Sequence, residues 1–134
     1  MDQDKRDQLV ARLSAEPEPQ IVDCEVFFDG NDDLGSIGCN LIPHPGIEAF
    51  RDALARLARR PDVKGVYAQI YELDPGEDCW PFTDTILVVG SISVADVATE
   101  LSPLEPDEVC SGTEFGLADV ASRFAEPIVV AWWD

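Results

Sequence analysis

An α+β two-layer sandwich is the architecture that the 134-residue sequence predicts, and three patterns point to it. Apolar and polar residues alternate at 21–28 and 63–73, the period-two signature of strands with one buried face. Residues 46–60 instead place Ile47, Phe50, Leu54 and Leu57 at steps of three and four, which is one apolar stripe of a helix. Residues 84–90, DTILVVG, are apolar on both faces, so that strand belongs in the interior of its sheet.

The elements follow in order. Residues 4–15, DKRDQLVARLSA, carry Leu9, Val10 and Leu13 at helical spacing, and Pro17 and Pro19 end the run. Residues 1–20 are thus an N-terminal helix and a Pro-rich connector. Residues 21–28, IVDCEVFF, read as a half-buried strand with Val22, Cys24, Val26 and Phe28 opposed to Asp23 and Glu25. The stretch 29–46 is rich in Gly, Asn, Asp and Pro and reads as a long loop, with room for a short strand near 36–41. Helix 46–60 follows and Pro61 stops it; strand 63–73 and strand 84–90 flank the loop DPGEDCWPFT. Ser93 and Asp96 resemble a capping box, opening a helix along Val94, Val97 and Leu101. The segment SPLEPDEVCSG reads as irregular, Leu117, Val120, Ala121 and Phe124 suggest a short helix, and IVVAWW at 128–133 reads as a closing strand.

The order strand–helix–strand–strand–helix–strand matches a ferredoxin-like βαββαβ core, with the extra N-terminal helix and the short helix before the last strand added to it. Val22, Cys24, Val26, Phe28, Val66, Ala68, Ile70, Ile86 and Val88 would face the helices. The opposite face would carry Asp23, Glu25, Phe27, Tyr67, Gln69, Tyr71, Leu87 and Val89, which is too apolar to be left to water. The N-terminal helix or a partner should cover it. No repeat or linker divides the chain, so residues 1–134 are expected to form a single domain.

Charge narrows the function. Twenty-seven Asp and Glu against nine Lys and Arg leave a net charge of -18. That field repels phosphate backbones and anionic bilayers, so neither nucleic acid nor a membrane is an expected partner. No apolar run approaches the roughly 20 residues of a membrane span, and Met1–Arg6 lacks the apolar stretch of a signal peptide. A cytoplasmic location follows as the expectation, with Cys24, Cys39, Cys79 and Cys110 as free thiols.

Catalytic and metal chemistry find little to work with. His44, in Pro43-His44-Pro45-Gly46, is the one histidine, and it reads as a turn residue before a helix. No nucleophile elbow, P-loop or dinucleotide-binding glycine pattern occurs, so no enzyme activity and no cofactor are expected. Gly35–Gly38 is an anion-nest candidate, opposed by the neighbouring acids. A zinc site wants paired cysteines; Cys39 and His44, with Cys24, offer only loose spacing. Asp29, Asn31, Asp32 and Asp33 present the oxygens a hard cation needs, but without EF-hand spacing, and a solvated turn is the plainer reading.

The partner-binding candidates lie elsewhere. Asp74, Glu77 and Asp78 surround Trp80 on the loop between two strands, Tyr71 precedes them, and Trp133 stands near the C-terminus. Aromatic anchors among charges are the composition of interaction hot spots. Residues 66–134 hold fourteen acids and one base, Arg123, for a net of -13; residues 1–65 hold thirteen acids and eight bases, for -5. The expected function is a small bacterial cytosolic protein-binding module, an inhibitor or immunity-type protein that neutralises a basic partner such as a toxin or nuclease. The alternative is a housekeeping or regulatory domain whose acidity reflects a high-salt cytoplasm. Neither reading sets the oligomeric state.

Overall fold

Helical stripes become helices and most alternating segments become strands in the computed structural model, which describes residues 1–134. In chain order the elements are α1 (Gln3–Ser14), β1 (Ile21–Asp23), α2 (Cys24–Phe28), a 3-10 turn (Leu34–Ser36), α3 (Ile47–Ala58), β2 (Val63–Glu72) and β3 (Phe82–Gly90). Then come α4 (Val94–Leu101), a second 3-10 turn (Ser102–Leu104), β4 (Glu108–Ser111), α5 (Ala118–Ala121) and β5 (Ile128–Trp132). The strands form one sheet in the order β1-β2-β3-β5-β4, antiparallel throughout. β3 is interior as its two apolar faces require, pairing Val88 with Val66 on one side and Val129 on the other.

The larger core lies on one face. Leu9 and Leu13 of α1, Phe27 and Phe28 of α2, Phe50, Leu54 and Leu57 of α3 and Val97 and Leu101 of α4 pack on Val22, Val66, Ala68, Ile86 and Val88. Each such fully buried side chain stabilises the fold by about 1.5–3 kcal/mol. Gly90 makes one of the tight corners: at φ +147°, a Cβ there would fall 2.2 Å from the Asp62 carbonyl oxygen.

The α+β sandwich forms, but its strand order is not the ferredoxin-like one. That order would set the first strand beside the third; here β1 pairs antiparallel with β2, Ile21 opposite Gln69 and Asp23 opposite Tyr67, and β5 lies beside β3. The cause is local. The Asp23 carboxylate accepts the Glu25 amide at 2.8 Å and starts α2, so the segment expected as a strand over 21–28 leaves the extended state after three residues. Phe27 is therefore buried with Phe28 in the larger core, while Val26 is 38% exposed. The span 36–41 forms no strand beyond its 3-10 turn, and the acid-rich 102–112 segment supplies the edge strand β4. Ser93 caps α4 through its Oγ, which accepts the Asp96 amide at 3.0 Å, while the Asp96 carboxylate turns instead to Arg60 at 3.0 Å.

The second sheet face is covered by the chain's own C-terminal residues rather than by the N-terminal helix. Leu87, Val89, Ile128 and Val130 pack under Val120 of α5, flanked by Phe115, Leu117 and Phe124. Phe124 packs against Tyr67 with tilted rings whose centroids lie 5.2 Å apart. α1, with Leu9 and Leu13, belongs to the other face.

Candidate functional site

Three acidic segments far apart in the chain meet at the end of the sheet where β2 stops and β3 starts. They are the start of α1 with Asp2, Asp4 and Asp7, the loop after α2 with Asp29, Asp32 and Asp33, and the β2–β3 connection with Asp74, Glu77 and Asp78. The joins are specific. Arg6, only 5% exposed, donates from Nε to the Cys79 carbonyl at 3.0 Å and from Nη2 to the Gly76 carbonyl at 2.7 Å and to the Asp74 carboxylate. Its Nη1 reaches Asp7 at 3.1 Å. Lys5 pairs with Asp29 at 2.7 Å, and the α-ammonium of Met1 with Asp32 at 2.8 Å. Asp33 accepts the Trp80 amide at 3.0 Å, and Gln3 donates to the Glu77 carbonyl at 3.0 Å.

These pairings set the electrostatics. Burial opposes the Arg6 charge, but its hydrogen bonds to Asp7 and Asp74 outweigh that and hold the guanidinium above its ordinary pKa. The hydrogen bond that Lys5 donates to Asp29 raises Lys5 likewise. In contrast, the carboxylates of Asp4, Glu77 and Asp78 enter no ion pair or hydrogen bond, and Glu77 and Asp78 are exposed. Asp84 and Glu108 extend the same end of the sheet, since Thr85 and Glu108 both pair with Trp132. The end therefore combines a knotted base with free anionic groups at its surface.

The residues expected to bind a partner divide accordingly. Tyr71 is 73% exposed, its ring edge-on to Phe82, and Glu77 and Asp78 face solvent beyond it. Asp74 is exposed but engaged by Arg6. Trp80 and Trp133 are not surface anchors: each is 1% exposed and lies in the larger core. The Trp80 ring folds under its own loop, leaving Nε1 without a partner. Trp133 packs edge-on against Phe50 and donates from Nε1 to the Leu104 carbonyl at 2.8 Å, whereas Trp132 faces the opposite side toward Phe115. Sequence reasoning missed Arg6 as the organising residue. Its signal was present, since 6, 9 and 13 lie on one helical stripe and a cation on a buried stripe demands partners.

The loop oxygens considered for a cation diverge. Asp29 turns to Lys5, Asp32 to the N-terminus, and Asn31 is buried with its Nδ2 on Ser36 Oγ at 3.0 Å and its Oδ1 on the Asp33 amide at 2.9 Å. No group of three or more His, Cys, Asp or Glu side chains is placed to hold a metal ion. His44 is occupied at both nitrogens, accepting the Gly46 amide on Nδ1 at 2.8 Å and lying 2.7 Å from the Ile37 carbonyl through Nε2. The four cysteines are unpaired; burial pushes the Cys24 thiol well up, and burial with Glu108 nearby raises Cys110.

The model of the Uncharacterized protein YfbO family matches residues 4–130, from α1 into β5. The chain belongs to the YfbO family. It is similar to the "Uncharacterized protein YfbO" of Escherichia coli (strain K12), with 32% identity over 123 residues, covering 88% of this chain and 84% of that one. No solved structure matches it. No helix is long and apolar enough to cross a membrane.

Proposed function

We propose that this chain is a protein-binding module whose acidic end receives a basic partner, in the manner of an inhibitor or immunity-type protein acting in the cytoplasm. The supporting observation is the convergence of three remote acidic segments on one end, with Asp4, Glu77 and Asp78 left free of internal partners. Opposed fields of this kind steer encounter and raise association rates, while an exposed aromatic such as Tyr71 supplies contact area. The one histidine is committed to backbone groups at both nitrogens and so offers no free imidazole for general acid–base work. Acidity serving only solubility in a salty cytoplasm requires no such convergence.

The test uses the whole chain as bait against extract of its own host, with wild type compared to an Asp4→Asn/Glu77→Gln/Asp78→Asn variant. The captured protein is identified by mass spectrometry and its association measured by stopped flow at low and physiological salt. A basic partner, bound more slowly by the variant and with a flatter salt dependence, supports the proposal. Equal association of the two proteins at every salt concentration overturns it.

A further inference from the structure

The early end of β1 has a second consequence. β1 pairs only with Tyr67–Gln69 of β2, because the chain turns into α2 at Cys24. The first residues of β2, Val63–Val66, have no strand beside them on that edge, and α3 lies across the gap. A cavity of about 410 Å3 results, within the range of small-molecule sites. Its floor is apolar, formed by Cys24, Phe28, Leu54 and Val66. Its lining also includes Arg51, Arg59 and Lys64, all three exposed.

These three cations stand out in a chain of net charge -18. Lys5, Arg6, Arg12, Arg60 and the α-ammonium each pair with a carboxylate, and Arg123 bonds the Pro19 and Glu18 carbonyls; Arg51, Arg56, Arg59 and Lys64 do neither, and three of these four line this one cavity. The lining acids Asp23 and Glu25 do not pair with them, and Asp23 is committed to the first turn of α2. The negative end of the α3 dipole accounts for a cation at Arg59, its C-cap. It does not account for Arg51 in the middle of α3 or for Lys64 across the cavity on β2.

We propose that this cavity binds a small amphipathic carboxylate, with an aliphatic body on the apolar floor and the carboxylate among Arg51, Arg59 and Lys64. Charge-assisted hydrogen bonds from guanidinium groups suit that anion. The acidity of the rest of the chain does not forbid it, since charges beyond roughly 8 Å are largely screened at physiological ionic strength. The site shares no lining residue with the acidic end and stands independently of the function proposed for it.

Calorimetry with octanoate, 1-octanol and octyltrimethylammonium tests the assignment. Octanoate should bind at least about tenfold more tightly than either equal-length analogue, the scale of one charge-assisted hydrogen bond. The Arg51→Gln/Arg59→Gln/Lys64→Gln variant alters only exposed side chains, so it should keep the wild-type circular dichroism and lose octanoate affinity by about tenfold or more. Ala55→Phe, which fills the cavity, should abolish binding. Equal binding of octanoate and octanol, unchanged affinity in the triple variant, or no octanoate binding to wild type each overturns the proposal.

Discussion

At the acidic end of the sheet the α-ammonium, Lys5 and Arg6 each hold a carboxylate, whereas on the cavity side of α3 Arg51, Arg59 and Lys64 hold none. Between them, Arg60 shows the held state again, gripping Asp62 at 2.9 Å, Asp96 at 3.0 Å and Glu100 at 3.4 Å. The two regions differ in sign, but the more instructive difference is between held and free charge. A held charge joins elements that the chain keeps apart: Arg6 ties α1 to the β2–β3 connection, and Arg60 ties the end of α3 to α4. A free charge joins nothing inside the molecule and is available to something outside it. Substituting held groups should therefore move stability, and substituting free groups should move binding.

The largest expected effect lies beneath the acidic end. Trp80→Ala removes a fully buried ring from under the loop that Asp33 anchors, and urea denaturation should show a loss of about 3–5 kcal/mol. Phe at the two tryptophans sharpens this. Trp133→Phe should cost about 1–3 kcal/mol more than Trp80→Phe, because only Trp133 leaves a bonded carbonyl, that of Leu104, without its donor. Equal costs would show that the Trp80 ring nitrogen has a partner after all.

Arg6→Met comes next. It strands the Gly76 and Cys79 carbonyls and releases Asp74, which is half exposed and partly rehydrates, so a loss of about 2–4 kcal/mol is expected in the same assay. Glu77→Gln/Asp78→Asn, in the same loop but free, should stay within about 0.5 kcal/mol of wild type. A large loss there would break the distinction between held and free groups.

The smallest effect expected at a held charge concerns Arg60, and its dependence on pH identifies it. The hydrogen bond from Arg60 holds the Asp62 carboxyl below its ordinary pKa. A lowered folded-state value contributes stability above the unfolded carboxylate pKa and loses it as pH falls through the folded value. Arg60→Gln should thus melt at a lower temperature than wild type at neutral pH, and the two melting curves should converge in acid as Asp62 protonates. Arg59→Gln, next to it and unpaired, should give up only its small interaction with the α3 dipole and show no such convergence in acid.

Much of the fold was legible. Ile47, Phe50, Leu54 and Leu57 define α3 whatever surrounds them, and the two-sided apolarity of 84–90 demands an interior strand, because both signals arise from neighbours along the chain. The site was legible only in part. Glu77, Asp78 and Tyr71 are at the surface as their chemistry suggests, but a tryptophan among carboxylates has the same local pattern whether it turns outward or under its loop. Trp80 turned under because the Arg6 and Asp33 bonds draw that loop onto α1 and the core.

By itself, then, the sequence determined α1, α3, α4, α5 and strands β2, β3 and β5, the interior place of β3 and an apolar second face that had to be covered, but neither α2 nor β4. Tertiary structure alone decided that residues 112–125 cover it, that β5 takes the place beside β3, and that three acidic segments separated by dozens of residues share one end. The reason is physical. Periodicity records which side of an element avoids water, and that is a local demand; the identity of the surface that meets the demand is a contest among all the apolar faces of the chain. The same contest ended β1 at Asp23, where one side-chain cap outcompeted continued strand pairing and left open the cavity beside β2.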